Sequence, residues 1–183
     1  MSRRRGVFLD RDGTIIEDRG YVREQDQVTL MPGAARAIAR LNRAGLAAVM
    51  VTNQSGIARG MLSEAEYLAT QRRLDSLLAG EGARLEGHYF CPHLPEVSGP
   101  CECRKPGTLL YRRAAAELEL DLAASWWIGD RLRDLIPARA FGGSGILVLT
   151  GAGREESPGT TADGFERAAD LGAAVEMVLS RES

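Results

Sequence analysis

Short apolar runs alternate along the chain with longer segments of helical spacing, which predicts a parallel sheet covered by helices on both faces. The predicted strands are 6–9, 47–51, 88–90, 126–128 and 146–149. Between the first two, Pro32 suits a first helical position, and Ala34, Ile38 and Leu41 share one face before Gly45 stops the helix. Ser63 and Glu66 form a capping box that opens a second crossover helix, ending near Leu78 and Gly80. Segments 109–118 and 168–179 predict further helices, whereas 155–164 is rich in Gly, Pro, Ser and Thr and predicts a loop. The expected fold is one α/β domain over 1–183, a doubly wound, mainly parallel sheet without internal repeats.

In such sheets the carboxyl ends of the strands converge on one crevice. Three predicted strands end there in polar groups. The first runs into Asp10, Arg11, Asp12, Gly13 and Thr14, the second into Thr52, Asn53, Gln54, Ser55 and Gly56, and the fourth into Gly129, Asp130, Arg131 and Asp134. A single Asp-x-Asp is commonly a turn, but recurrence at three strand ends marks a site. Trp126 and Trp127 point to opposite faces of their strand and predict packing under the two helix layers. Gly142, Gly143 and Gly145 suit a helix end and turn, and no nucleotide-binding loop is implied.

Composition narrows the reading. The chain has 183 residues, 44% of them hydrophobic, enough for one substantial core. Its 23 Lys and Arg against 25 Asp and Glu give a net charge of -2, so no positive field recruits nucleic acid or an anionic membrane, and Arg3, Arg4 and Arg5 read as a solvated strand end. No apolar segment reaches the ~18 residues of a membrane span and no leader pattern is present, so a cytoplasmic location is expected. All three cysteines, Cys91, Cys101 and Cys103, fall in one stretch with His93. Three thiolates and an imidazole suit a closed tetrahedral zinc site in a reducing compartment, and a full ligand set marks the metal as structural, fixing the loop that presents Arg104 and Lys105. His88 reads as a core or surface histidine.

The residues at the strand ends carry a resemblance. Asp10-Arg11-Asp12-Gly13-Thr14, Thr52, Lys105 within Cys103-Arg104-Lys105-Pro106, and Gly129-Asp130 through Asp134 resemble, in order, the four motifs of the haloacid dehalogenase superfamily of phosphatases. More narrowly, Asp18-Arg19-Gly20-Tyr21-Val22, the run from Thr52 to Gly60 and the cysteine and histidine cluster resemble the heptose-1,7-bisphosphate 7-phosphatase family. The resemblance covers about Val7 to Leu149 and implies a haloacid dehalogenase-like Rossmannoid fold without a large cap. It implies Asp10 as nucleophile, Asp12 as general acid and base, and Thr52 and Lys105 as donors to the transferring oxygens. Asp10, the Asp12 carbonyl and Asp130 can bind magnesium, a hard cation that favours oxygen ligands, with Asp134 orienting the metal's water shell. Asp18, Arg19, Gly20, Tyr21, Asn53, Gln54 and Ser55 are expected to meet the sugar, and Arg104 and Arg131 its second phosphate. Arg131 stands where lysine is common in that family. The implied pathway is the making of activated heptose for lipopolysaccharide or another surface glycan, with a monomeric enzyme and a small-molecule substrate. The rival readings are a histidinol-phosphate phosphatase, a phospho-accepting receiver domain and a non-catalytic zinc-held module.

Overall fold

The computed structural model describes residues 3–162 and 164–181. Six strands are present among them, β1 (Arg4–Leu9), β2 (Ala47–Asn53), β3 (Gly87–Cys91), β4 (Leu120–Gly129), β5 (Ser144–Val148) and β6 (Glu166–Ala168). The helices are α1 (Ala34–Arg43), α2 (Ser55–Ala58), α3 (Glu64–Gly80), α4 (Pro95–Ser98), α5 (Leu109–Glu117), α6 (Leu132–Phe141), α7 (Gly153–Ala162) and α8 (Leu171–Ser180). The strands form one sheet in the order β3-β2-β1-β4-β5-β6, and every pairing is parallel. The chain winds outward from β1 through β2 to β3, then returns to β4 and winds the other way. The switch point therefore lies between β1 and β4, where the crevice of such a sheet opens.

Side-chain alternation divides the core. Val7, Leu9, Ala48, Met50, Trp126 and Ile128 face a layer built from α1, α3 and α8, whereas Phe8, Val49, Val51, Trp127 and Leu147 face α5 and α6. Trp126 and Trp127 thus serve opposite layers, as their sequence position predicts. Trp127 is fully buried against Phe8 at 4.9 Å, Tyr111 at 5.7 Å and Phe141 at 5.9 Å between ring centroids. Such ring pairs add ~0.5–1.5 kcal/mol each beyond their burial. The capping box of α3 forms, with Ser63 Oγ accepting from Glu66 N at 3.2 Å and Ser63 N donating to Glu66 Oε2 at 2.6 Å. No helix among the described residues is long and apolar enough to cross a membrane.

Several expectations are corrected. The predicted loop 155–164 is mostly α7, up to Ala162, with Asp163 outside the described residues. Its Glu155 and Glu156 favour a helix start, and Glu156 Oε2 accepts from Leu132 N at 3.2 Å, tying it to α6. The helix expected over 168–179 is α8 from Leu171, because the Asp170 carboxylate caps Ala173 N at 2.9 Å and Ala168 belongs to β6. Pro32 lies in a turn before α1, since Gly33 at φ 77° keeps the chain out of helical geometry there.

Candidate active site

Asp10 leaves the end of β1, where its N–H still donates to Ile128 O at 3.0 Å, and so stands at the switch point. Lys105 reaches it from the segment between α4 and α5. The Lys105 Nζ donates to Asp10 Oδ1 at 2.7 Å and to Val51 O at 2.7 Å, and lies 2.8 Å from Asp134 Oδ1. At 3% exposure, burial alone would pull this ammonium down, but Asp10 and then Asp134 outweigh it and hold Lys105 above its ordinary value. It stays charged at every physiological pH. Asn53, at the end of β2, fixes the lysine backbone: its Oδ1 accepts from Lys105 N at 3.0 Å and its Nδ2 donates to Lys105 O at 3.2 Å.

Asp130, at the end of β4, is fully buried. Its Oδ2 accepts from Ala152 N at 2.8 Å, but its Oδ1 has no partner. A buried carboxylate oxygen left bare is costly unless a cation meets it. Burial first, then Asp10, pushes its carboxyl up to about 7, and burial pushes Asp134 up to about 6 against the pull of Lys105. Asp10, Asp130 and Asp134 present oxygens within 4.8 Å of one another. A Cβ on Gly13 or Gly151 would come within 2.3 Å and 2.2 Å of Asp130 Oδ2, and both residues hold a positive φ, 83° and 51°. Only glycine lets two chain segments close around that carboxylate. The donors are hard oxygens with excess negative charge, and they fit a magnesium ion.

Asp12 turns from this cluster toward Arg11, whose Nε donates to Asp12 Oδ2 at 3.0 Å and whose Nη2 donates to Oδ1 at 3.1 Å. Gln54 Nε2 adds a bond to Asp12 Oδ2 at 3.0 Å and another to Thr52 Oγ1 at 2.9 Å, while Gln54 Oε1 accepts from Arg11 Nη2 at 3.2 Å. Burial pushes the Asp12 carboxyl up, and Arg11 opposes it. Arg11 is only 1% exposed and lies 5.2 Å from the Tyr67 ring centroid. Sequence reasoning gave Arg11 no role; its position between two carboxylates was the available signal. Asn53 and Gln54, expected against substrate, also hold Lys105 and Asp12.

A cavity of about 320 Å³ opens over Asp10, Asp12, Thr52 and Lys105. Asp18, Gly20, Tyr21, Asn53, Gln54, Ser55, Gly56 and Arg131 also line it, together with Arg133, which the sequence did not single out. Gly56 is small because the Tyr21 ring packs on it; a Cβ there would meet Tyr21 Cδ1 at 2.5 Å. Arg19 does not line the cavity and pairs with Glu17 at 2.7 Å. Arg104 does not line it either, and donates from Nη1 to His93 O at 3.2 Å.

The cysteine and histidine cluster assembles beside β3. Cys103 Sγ lies 3.1 Å from Cys91 Sγ, 3.5 Å from Cys101 Sγ and 3.2 Å from His93 Nδ1, and Cys91 Sγ lies 3.7 Å from Cys101 Sγ. A tetrahedron of ~2.3 Å metal–sulfur bonds has edges near ~3.8 Å, so the donor set is the right size for zinc. The three thiols are free of disulfides. Burial pushes Cys91 and Cys103 up; at Cys101 burial pushes the same way, but the Arg104 N–H and the neighbouring sulfurs outweigh it and bring the thiol down to about 7. His88 pairs with Asp75 at 3.3 Å, away from this cluster, as a partly exposed residue.

A family model described as HAD-hydrolase-like matches residues 102–174. The D-glycero-β-D-manno-heptose-1,7-bisphosphate 7-phosphatase of Yersinia pestis is 46% identical over 151 residues, 79% of this chain and 80% of that protein. The chain belongs to this family. The Haemophilus ducreyi relative of the same name is 41% identical over 174 residues, 92% of each chain. A crystal structure of D,D-heptose 1,7-bisphosphate phosphatase from B. bronchiseptica, complexed with magnesium and phosphate, covers 97% of this chain and 99% of its own at a TM-score of 0.88 and 36% identity. Membership of a haloacid dehalogenase-like phosphatase family accounts for the parallel sheet and for the carboxylates at its switch point. It also removes the receiver-domain reading.

Proposed function

We propose that the chain is a magnesium-dependent phosphatase that removes the 7-phosphate of D-glycero-D-manno-heptose 1,7-bisphosphate through a phosphorylated Asp10. The observation that carries this reading is Asp10 at the cavity floor, held by the Lys105 ammonium and beside the bare buried oxygen of Asp130. The Asp10 oxygen attacks phosphorus as the bond to the sugar oxygen breaks, and Asp12 passes its proton to that oxygen. Asp12 then takes a proton from the water that attacks the aspartyl phosphate, and phosphate leaves. Burial favours the protonated Asp12 that the first step needs, while Arg11 and Gln54 hold its carboxyl in place. Thr52 and Lys105 donate to the transferring oxygens. Asp10, the Asp12 carbonyl and Asp130 would hold magnesium, which would supply positive charge against the phosphoryl oxygens, and Asp134 would support it through water. Asp18, Gly20, Tyr21, Ser55, Asn53 and Gln54 take the sugar, with Arg19 reaching it by giving up Glu17. Arg104 and Arg131 take the second phosphate, Arg104 exchanging the His93 carbonyl for it.

The reading includes a monomer acting on a small molecule in the cytoplasm and feeding activated heptose into lipopolysaccharide or another surface glycan. Its test compares kcat/KM for both anomers of the heptose bisphosphate with that for histidinol phosphate. Two charge-assisted contacts to a second phosphate should give the bisphosphate an advantage of at least about 100-fold. Histidinol phosphate as the better substrate would overturn the assignment.

Zinc at Cys91, His93, Cys101 and Cys103 belongs to the same reading as a structural ion. Elemental analysis should find one zinc per chain, and Cys101→Ser should lower both zinc content and Tm, because metal binding orders the segment that carries Lys105. Reduced protein purified without chelators and free of zinc would leave the cluster without this role.

A further inference from the structure

Arg133 is the one cation lining the catalytic cavity for which the described residues provide no acceptor. Lys105 is bracketed by Asp10 and Asp134 at 2.7 Å and 2.8 Å. Arg131 has Asp18 at 3.9 Å and Glu156 at 4.0 Å. Arg133 makes no hydrogen bond or ion pair among the described residues, and its Nε is buried without a partner. Asp134, the carboxylate that feels its field, is already held by Lys105 and by Arg131 N, which donates to Asp134 Oδ2 at 3.0 Å.

A buried guanidinium donor with nothing to donate to is a cost that the free protein bears, and it is relieved when an acceptor enters the cavity. The fork of a guanidinium matches two oxygens of one anionic group better than a neutral hydroxyl. The phosphoryl group over Asp10 already has Lys105 and Thr52. We infer that Arg133, beside Arg131, binds the second anionic group of the substrate, the phosphate that is not transferred, and is a specificity-determining residue of this chain. The inference rests on the reading of the substrate as a sugar bisphosphate. It adds to the expected pair Arg104 and Arg131 a residue that already faces the cavity, whereas Arg104 is turned to His93 O.

The test measures kcat/KM for heptose 1,7-bisphosphate and for p-nitrophenyl phosphate, with magnesium and zinc loaded, in the wild type, Arg133→Gln and Arg133→Lys. The ratio of the two should fall by about 10- to 100-fold in Arg133→Gln, mainly through KM for the bisphosphate, because the contact is present in ground state and transition state alike. Arg133→Lys, which retains the charge without the fork, should recover part of the ratio. A ratio unchanged in Arg133→Gln, or equal losses on both substrates, overturns the role. If Arg133→Gln does not fold, Arg133→Lys decides: it should weaken the bisphosphate several-fold and the aryl phosphate less, and equal effects would overturn the inference. A wild-type enzyme without preference for the bisphosphate would instead overturn the substrate reading itself, before any variant is compared.

Discussion

Asp10→Asn is expected to lower kcat by at least about 10⁴-fold on every phosphate ester, with the protein still folded and still able to bind phosphate. The amide is nearly isosteric with the carboxylate but cannot attack phosphorus, and no other carboxylate can replace it. Asp130 is wholly buried, Asp134 is spent on Lys105 and the Arg131 N–H, and Asp12 is forked by Arg11. Steady-state assays with saturating magnesium check the loss, and mass spectrometry of acid-quenched wild-type enzyme should find one phosphoryl group on the peptide carrying Asp10. Near-native turnover in the variant, or label on another residue, would remove the covalent route.

The second large effect is on stability. Lys105→Met leaves Asp10 and Asp134 facing each other without the ammonium that bridges them, and breaking such a buried pair costs ~3–5 kcal/mol. The penalty should depend on pH. Asp134 already sits at about 6 with Lys105 present, so its contribution to folding is present below its ordinary value of 3.8 and is lost as pH rises through about 6. Without Lys105 its carboxyl moves further up, and the loss becomes larger and extends to higher pH. Urea unfolding at pH 5.5 and pH 8 should therefore show a greater deficit at pH 8, partly restored by magnesium. A variant with the wild-type midpoint at both values would mean that the ammonium does not bridge the carboxylates.

The centre of the site was legible because apolar strands ending abruptly in Asp10, Thr52 and Asp130 follow directly from chain order, and the parallel fold brings such ends together. The cysteine cluster was legible for a similar reason, since donor type and spacing survive without coordinates. What direction each side chain takes was not. Arg11 has no assigned role in the sequence, and its place emerges only where Tyr67, Thr70 and Gln54 enclose it, with Thr70 Oγ1 at 3.5 Å. Asn53 and Gln54 line the cavity and in addition hold Lys105 and Asp12, a second duty that chain order does not reveal. Among the elements that went unread, α6 and β6 carry conflicting local signals. α6 contains Pro137, a helix breaker that is tolerated once Leu135 and Ala138 are buried. β6 is three residues long with only Ala168 buried, and pairing with β5 creates it.

The position of β1 at the middle of the sheet also bears on biosynthesis. It leaves the ribosome ahead of both strands it pairs with, one of those neighbours is β4, and the bond from Gly6 N to Ser125 Oγ spans 119 residues. Until β4 is made, one edge of an apolar strand stays unpaired, the kind of exposed template on which nascent chains aggregate. The bond between Lys105 and Asp10 spans 95 residues, so no early fragment carries the catalytic pair. Nascent chains gain activity late, after a prolonged interval in which chaperones have an open edge to shield.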